Sequence, residues 1–248
     1  MSTKTVFITG ASSGIGHALA LEFAARGYHL GLAARRLDSL ARLKQQIAGR
    51  HPDCKIEVRA LDVLRYDDVA AVIEDLARSL GRLDIVVAGA GVGSAGRVGN
   101  GHFAADRGVI ETNVLGAMAT MDAAVALFKR QGNGQVVVIS SVAAFRGLPT
   151  SASYSASKAA IAVYADAVRA ELHRSPIKVT TLYPGYIDTP INQQIKNRPF
   201  LISVDKGARI IADLIERGVQ ESTVPVFPWN LMKYVLRLLP TSLLARMS

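Results

Sequence analysis

Short, continuous apolar runs recur along the chain, each bounded by glycine or polar residues. Several of these runs are β-branched, and they are four to six residues long, which is typical of strands buried on both faces of a sheet. They predict seven strands: Thr5–Thr9, Leu30–Ala34, Lys55–Ala60, Ile85–Ala88, Val136–Ser140, Lys178–Tyr183 and Thr223–Phe227.

Longer segments between these runs carry apolar residues at three- and four-residue spacing, as in Leu19, Phe23 and Ala24. This spacing places the apolar side chains on one face of a helix. Strands that alternate with helices predict a parallel sheet covered on both faces. We therefore expect an α/β fold: one doubly wound, Rossmann-type domain over residues 1–248, with about seven strands and helices on both faces of the sheet.

Two segments near predicted strand ends do not follow this alternation. Gly89–Gly101 is rich in glycine, and Ile187–Pro199 is polar with two prolines, so both are predicted to be loops. The C-terminal tail, residues 229–248, is apolar and basic, and Pro240 interrupts it. This tail can cover a pocket, line a subunit interface or contact a membrane through Lys233 and Arg237. The early break at Pro240 favours a lid or an interface over a membrane contact.

Composition narrows the classes of function. Half of the residues are hydrophobic, and 29 Lys and Arg against 20 Asp and Glu give a net charge of +9. This charge suggests an anionic partner: a cofactor phosphate, a membrane surface or nucleic acid. Basic residues are scattered and only 6% of residues are aromatic, which argues against specific binding of nucleic acid.

Cysteine and histidine usage points away from disulfides and metal sites. Cys54 is the only cysteine, and the five histidines show no metal-ligand spacing. We therefore expect no bound metal and a reduced, cytoplasmic setting. The N-terminal apolar run is too short for a signal peptide, and no apolar run is long enough for a transmembrane helix.

A glycine-rich turn follows the first predicted strand and opens a helix. The residues Gly10, Gly14 and Gly16 allow a tight turn and a close approach of a pyrophosphate to the backbone. The helix N-terminus then offers unpaired N–H groups to the anion. The same turn also matches the Gly-x-Ser-x-Gly pattern of a serine hydrolase, with Ser12 as the nucleophile. Because a hydrolase elbow follows several strands and this turn follows the first, the phosphate interpretation is favoured.

Taken together with Tyr154-Ser155-Ala156-Ser157-Lys158, the glycine turn resembles that of the short-chain dehydrogenase/reductase family. The resemblance covers residues 5–189, and its specificity comes from several motifs in family order. These are Thr9-Gly-x-x-x-Gly-x-Gly16, Asp62, Asn113, Ser141, Tyr154, Lys158, Pro184-Gly185 and Thr189.

The residue types at this site suit proton transfer. Tyr154 and Lys158 are four residues apart, so they lie on one helix face, where the ammonium is expected to lower the pKa of the phenol. Tyr154 then exchanges a proton with a carbonyl or alcohol oxygen while nicotinamide carries the hydride. A hydroxyl from Ser140 or Ser141 can hydrogen-bond that oxygen, and the family spacing favours Ser141.

The resemblance implies further roles for the matched positions. Lys158 would also bond the nicotinamide ribose, Asn113 would hold a proton-relay water, and Asp62 would contact the adenine. The predicted catalytic residues are Asn113, Ser141, Tyr154 and Lys158. The predicted cofactor contacts are Gly10, Ser12, Ser13, Gly14, Ile15, Gly16, Arg35, Arg36, Asp62, Val63, Ala88, Gly89, Ala90, Tyr154, Lys158, Pro184, Gly185, Ile187 and Thr189.

The chain departs from the family pattern after the fourth predicted strand. Ala88-Gly89-Ala90-Gly91 stands where the family usually has Asn-Asn-Ala-Gly. Small residues still allow the backbone to approach the adenine ribose. We expect the sheet contact of an asparagine side chain to be lost and the loop to be more flexible.

The residues at the end of the second predicted strand indicate which nicotinamide cofactor to expect. Enzymes that use NAD place a carboxylate there, but this strand ends in Ala34-Arg35-Arg36. Arg35 is expected to bind a 2′-phosphate and Arg36 to stack on adenine, which predicts NADP(H) over NAD(H). Asp62 can alternatively cap the next segment, and both arginines can be ordinary surface charges.

Substrate specificity in this family lies after Pro184-Gly185, here residues 187–209, and in the C-terminus. The predicted pocket walls are apolar, so we expect an apolar carbonyl or secondary alcohol. The resemblance also implies a homodimer or homotetramer through the helices bearing Asn113 and Tyr154. A regulator that binds NADP(H) without turnover is the alternative function. The predicted wall residues are Phe145, Leu148, Tyr186, Ile187, Ile191, Ile195, Phe200 and Leu201.

Overall fold

The computed structural model describes residues 3–193, 195 and 197–245. Two positions of the predicted substrate segment, 194 and 196, and the last three residues of the predicted tail, 246–248, lie outside the described residues.

A parallel sheet of seven strands forms the centre of the described chain. Its spatial order is β3-β2-β1-β4-β5-β6-β7, which confirms the doubly wound prediction. Strands β1 and β4 are buried along their whole length, as their continuous apolar sequences predicted. The strands are β1 Thr5–Thr9, β2 His29–Ala34, β3 Ile56–Ala60, β4 Ile85–Ala88, β5 Gly134–Ile139, β6 Ile177–Pro184 and β7 Glu221–Val224.

The last strand differs from its prediction at Thr223–Phe227. Strand β7 pairs with β6 from Glu221 to Val224, and Pro225 follows. Because proline has no N–H to donate, it ends the ladder there. The polar start of this edge strand gives no apolar signal in the sequence.

Helices cover both faces of the sheet. The first face is covered mainly by α1, α2 and α7, and the second by α3, α5 and α6. The helices are α1 Gly14–Ala25, α2 Leu37–Ala48, α3 Tyr66–Leu80, α4 Phe103–Ile110, α5 Ala117–Gln131, α6 Ala152–Glu171, α7 Val204–Arg217, α8 Trp229–Leu238 and α9 Thr241–Leu244. A π-helical turn at Glu111–Gly116 joins α4 to α5, and 3₁₀ turns lie at Val142–Phe145 and Pro190–Asn192.

Each face of the sheet has its own hydrophobic core. On the first face Leu19 and Phe23 of α1 belong to one cluster with Ile211 and Ile215 of α7. On the second face Phe7 of β1 packs within a cluster that includes residues of α3, α5 and α6. Burial of these apolar side chains on both faces fixes the strands, so their carboxyl ends stay at one edge.

The C-terminal tail forms α8 and α9 and packs beside that edge. Trp229 and Leu236 of α8 are buried in a third cluster with Val142 and Tyr183. Helix α8 ends at Leu238, before Pro240, as predicted. The opposite side of α8 exposes Leu231, Tyr234, Val235 and Leu238. None of the helices in the described part of the chain has the length and apolar character needed to cross a membrane.

Candidate active site

The glycine turn links the end of β1 to α1. Gly10 has a φ of +74°, and a Cβ at this position would lie 2.7 Å from the Cα of Ala90. Glycine is therefore required both by the left-handed backbone and by the close approach of the loop after β4. The turn predicted for phosphate binding forms at the carboxyl edge of the sheet.

Helix α1 begins with unpaired N–H groups. Ser13 precedes the helix with an extended backbone, and its side chain makes no capping hydrogen bond. The N–H groups of the first turn, which contains Gly14, Ile15 and Gly16, thus remain available to an anion. This arrangement fits a dinucleotide phosphate.

Two serine hydroxyls of the turn are held by an arginine that follows β2. The Arg36 guanidinium donates to Ser12 Oγ at 3.0 and 3.3 Å and to Ser13 Oγ at 2.9 Å. Arg35 and Arg36 are both exposed, and Ala34 is buried at the strand end. Arg36 is therefore the arginine that contacts the glycine turn. Its stacking on adenine stays a prediction.

The contact between Ser12 and Arg36 also bears on the hydrolase alternative. A nucleophilic serine needs a base beside it. A guanidinium stays protonated and cannot accept the serine proton. The neighbour of Ser12 therefore suits anion binding and does not suit a hydrolase.

Asp62 and Val63 follow β3 on the side predicted for adenine. Asp62 Oδ1 accepts a hydrogen bond from the N–H of Leu64 at 3.2 Å, so the carboxylate holds a local turn. Val63 is buried, and a Cβ at Gly116 would lie 2.7 Å from its Cγ2. Asp62 therefore forms a turn before α3 and does not cap that helix, which Arg65 precedes without a side-chain capping bond. The adenine contact stays a prediction.

Thr9 holds the segment that lacks the family asparagines. Its Oγ1 donates to Val87 O at 3.3 Å and accepts from Gly89 N at 3.1 Å and Ala90 N at 3.2 Å. Ala88, the last residue of β4, is buried beside this network. A threonine hydroxyl thus ties β1 to the loop after β4, where we expected a contact to be lost.

Lys158 projects from α6 into the interior below the site. The residue is 7% exposed, and its Nζ donates to Ile139 O at 2.8 Å. Burial lowers the pKa of Lys158 to about 8. The hydroxyl of Ser140 donates to the carbonyl of Lys158 at 2.8 Å, so Ser140 supports the helix that carries this lysine.

Tyr154 lies one turn earlier on α6, with its ring centroid 5.7 Å from Lys158 Nζ. Burial raises the pKa of Tyr154, its neighbour Tyr186 adds to the rise, and the hydrogen bond with Ser141 opposes it. The prediction that the lysine lowers this pKa is wrong for the structure described. The ammonium bonds Ile139 O, and loss of solvent raises the pKa of the phenol.

Ser141 connects the end of β5 to Tyr154. Its Oγ donates to Pro184 O at 3.4 Å, accepts from Ala143 N at 3.2 Å, and hydrogen-bonds the phenol of Tyr154. Ser140 faces Lys158 instead. Ser141, and not Ser140, is therefore the serine beside the Tyr154 phenol, and its catalytic role stays a prediction.

Asn113 lies in the π-helical turn between α4 and α5 and is 1% exposed. Its Oδ1 accepts from Val92 N at 2.8 Å, and its Nδ2 donates to Val92 O at 2.9 Å and to Ser157 Oγ at 3.0 Å. A Cβ at Gly91 would lie 3.3 Å from Asn113 Oδ1 and 3.5 Å from Lys158 Nζ. Asn113 is thus placed beside Lys158, and its amide anchors the loop after β4.

The segment after β6 closes the other side of the site. Pro184 ends β6, and the N–H of Gly185 donates to Val224 O at 2.9 Å. Thr189 Oγ1 donates to Ile187 O at 3.2 Å, and a Cβ at Gly14 would lie 3.6 Å from Thr189. The segment therefore meets the glycine turn, and both predicted cofactor-binding regions face one crevice.

Several features of this site were not predicted. The three hydrogen bonds of Thr9, the π-helical turn around Asn113 and the burial of Trp229 against Gly185 appear only in the structure. Thr9 could have been suspected from its position directly before Gly10. Among the described residues, no group of three His, Cys, Asp or Glu side chains could hold a metal ion.

Comparisons with known proteins identify relatives of this chain. The model of the short chain dehydrogenase family matches residues 4–199. An uncharacterized oxidoreductase of Mycobacterium tuberculosis is 36% identical over 247 residues, which cover 99% of this chain and 98% of that protein. The 11-beta-hydroxysteroid dehydrogenase 1A of Arabidopsis thaliana is 37% identical over 194 residues, which cover 77% of this chain and 54% of that protein.

Solved structures show the same fold. The alcohol dehydrogenase of the archaeon Thermococcus sibiricus, complexed with 5-hydroxy-NADP, is 28% identical with a TM-score of 0.81, covering 90% of this chain and 96% of that chain. A short chain dehydrogenase of Mycobacterium paratuberculosis, bound to NAD, is 25% identical with a TM-score of 0.79 and the same coverage. Similar structures therefore bind either nicotinamide dinucleotide.

Proposed function

The chain belongs to the short-chain dehydrogenase/reductase family of oxidoreductases, and from this membership we propose that it transfers a hydride between NADP(H) and an apolar carbonyl or secondary alcohol. The observation that carries the proposal is the meeting of Ser141, Tyr154 and Lys158 at the carboxyl edge of the sheet, opposite the glycine turn.

Tyr154 is the general acid and base. Its raised pKa keeps the phenol protonated at neutral pH, which is the form that donates to a carbonyl oxygen during reduction. The Ser141 hydroxyl hydrogen-bonds the same oxygen as negative charge develops on it. When bound, nicotinamide supplies or accepts the hydride. In oxidation Tyr154 first loses its own proton to solvent and then accepts the proton of the alcohol.

Lys158 and Asn113 organise the space below the phenol. Lys158, anchored on Ile139 O, keeps a positive charge beside the tyrosine. We assign it the ribose contact as well, as the family resemblance implies. Asn113 fixes the loop after β4 through both atoms of its amide. We assign it the relay water next to Lys158.

The charge at the end of β2 supports NADP(H). This strand ends in a buried alanine, followed by two exposed arginines. Arg36 already contacts both hydroxyls of the glycine turn, so its guanidinium and Ser12 can hold a 2′-phosphate together with Arg35. We propose this three-residue phosphate site in place of a contact by Arg35 alone.

The aromatic residues around the end of β6 support an apolar substrate. Phe145 stacks on Tyr183 at 4.7 Å, and Tyr186 and Phe200 pack on Trp229 at 6.1 and 5.8 Å between ring centroids. An association of subunits through the helices that bear Asn113 and Tyr154 is also proposed. It is supported by the exposed apolar side chains of Leu115 and Val163.

Turnover is tested by screening aldehydes, ketones and secondary alcohols with the purified protein while following NADPH absorbance. We expect Tyr154→Phe to abolish turnover and to leave NADPH binding unchanged, because only the proton donor is lost. Tyr164→Phe, on the same helix, is the matched control and should retain full activity. Tight NADPH binding with no turnover of any compound would favour the regulator instead.

Cofactor choice is tested with Arg35→Ala and Arg36→Ala. Each change should lower kcat/KM for NADPH by about tenfold or more and leave that for NADH nearly unchanged, because only NADPH carries the 2′-phosphate. Arg42→Ala, an exposed arginine of α2, is the control. A wild-type preference for NADH would contradict the assignment.

A further inference from the structure

Trp229, the first residue of α8, holds a buried hydrogen-bond donor without a partner. The residue is 4% exposed, and within the described part of the chain its Nε1 has no acceptor. A buried indole N–H usually finds a partner, because an unpaired donor has lost its bond to water without replacement. Such an exception is a place to look for a ligand.

The position of this donor links it to the proposed active site. A Cβ at Gly185 would lie 2.1 Å from Trp229 Nε1, so the indole lies directly on the backbone after β6. The preceding residue, Pro184, accepts the hydrogen bond from Ser141 Oγ. Because residue 185 has no side chain, the indole N–H of Trp229 can lie against it. The neighbouring carbonyl, that of Pro184, is the one that accepts the hydrogen bond of Ser141.

Tyr186 connects the indole to the proton donor. Its ring centroid lies 6.1 Å from that of Trp229, and its phenol is close enough to Tyr154 to contribute to the raised pKa of that residue. Tyr186 therefore links the ring of Trp229 to the surroundings of the Tyr154 phenol.

Phe200, from the proposed substrate segment, covers the indole. Its ring meets Trp229 edge-on at 5.8 Å and 89°, while half of the residue is exposed. Phe200 has a φ of +58°, a left-handed conformation that a bulky residue adopts only when its surroundings hold it there. Of the two rings that pack on Trp229, that of Phe200 is the more exposed to solvent.

We propose that Trp229 Nε1 donates a hydrogen bond to a second oxygen of the substrate, while Tyr186 and Phe200 enclose its apolar body. The inference rests on the proposed oxidoreductase function and narrows its substrate class. Favoured substrates carry a keto, hydroxyl or ester oxygen near the reacting carbonyl, so diones and hydroxyketones are preferred over simple ketones. A site with a buried donor rejects an analogue that leaves this donor unpaired.

The kinetic test compares the wild type with Trp229→Phe, which keeps an aromatic ring and removes the N–H. Cyclic diones and cyclic monoketones of equal ring size are the paired substrates. We expect kcat/KM for the dione to fall about tenfold, the effect of one hydrogen bond, and kcat/KM for the monoketone to stay within about twofold. An unchanged ratio of the two would overturn the inference.

A binding test does not depend on turnover or on the variant. Trp229 is the only tryptophan of the chain, so its fluorescence reports the indole directly. In the wild type saturated with NADP⁺, the dione should shift the emission to longer wavelength, because an acceptor now bonds the N–H. The monoketone should bind without this shift, and equal shifts with both compounds would contradict the proposal.

The two failures can be told apart. If the wild type turns over no carbonyl compound or alcohol, the proposed function is wrong. If it reduces ketones and Trp229→Phe keeps the dione preference, only the role of Trp229 is wrong. The melting temperature of Trp229→Phe should not fall far, because phenylalanine buries no unpaired donor.

Discussion

Replacing Lys158 with methionine is expected to abolish activity and to stabilise the cofactor-free protein at neutral pH. Methionine fills a similar volume and adapts its shape to the site. The lysine is buried, and its pKa is about 8 against its usual 10.5. At about 1.36 kcal/mol per pH unit, this difference corresponds to about 3 kcal/mol of stability that the buried ammonium removes.

The sign of the pH dependence follows from proton binding. Below pH 8 the folded and unfolded chains both carry the proton, so the full destabilisation is present. Between pH 8 and 10.5 the unfolded chain keeps the proton that the folded chain has lost, so the free energy of unfolding rises with pH. The methionine variant lacks this rise. It also loses the bond to Ile139 O, which offsets ~1–2 kcal/mol of its gain.

Urea unfolding followed by circular dichroism at pH 7 and pH 10, without cofactor and at one protein concentration, measures the effect. We expect Lys158→Met to be about 2 kcal/mol more stable than the wild type at pH 7, and this advantage to disappear near pH 10. Lys44→Met, at an exposed position of α2, is the control and should show no such change with pH. A stability difference for Lys158→Met that stays constant from pH 7 to pH 10 would refute the reasoning.

Two further pairs of variants test the roles of hydroxyl groups. Ser141→Ala should lower kcat/KM about 10²- to 10³-fold, whereas Ser140→Ala should change it only a few fold and cost about 1 kcal/mol in urea unfolding. Equal losses of activity in both serine variants would remove the distinction between them. Thr9→Val should lower the free energy of unfolding by about 1–3 kcal/mol, because Thr9 Oγ1 makes three hydrogen bonds, while Thr9→Ser should remain near the wild type. A valine variant as stable as the serine variant would mean that the hydroxyl does not hold the loop after β4.

Much of the fold could be predicted because parallel strands covered on both faces are continuously apolar. Strands β1 and β4 have the predicted bounds. The predicted bounds of strand β7 were too late in the sequence, because its pairing with β6 begins at the charged residue Glu221. Only that pairing identifies a strand there. Edge strands need less apolar sequence, so local pattern predicts them less well.

Site residues could be predicted where they lie at a fixed spacing along one helix or strand. Tyr154 and Lys158 are neighbours because four residues make about one helical turn. Burial was not predictable in this way, and the direction of the pKa shift of Tyr154 was therefore wrong. The contacts of Arg36 and Trp229 also depend on elements far apart in sequence, so no local pattern reveals them.

The π-helical turn at Glu111–Gly116 restricts how this chain can change in length. Such a turn holds one residue more than an α-helical turn. Deleting one residue there would let the wide turn close into a regular α-helical turn, and the changed backbone would disturb the hydrogen bonds of Asn113 with Val92 and Ser157. Insertions and deletions are therefore expected in the surface loops and not in this turn. A variant with one residue inserted or deleted in this turn is expected to disturb the whole crevice.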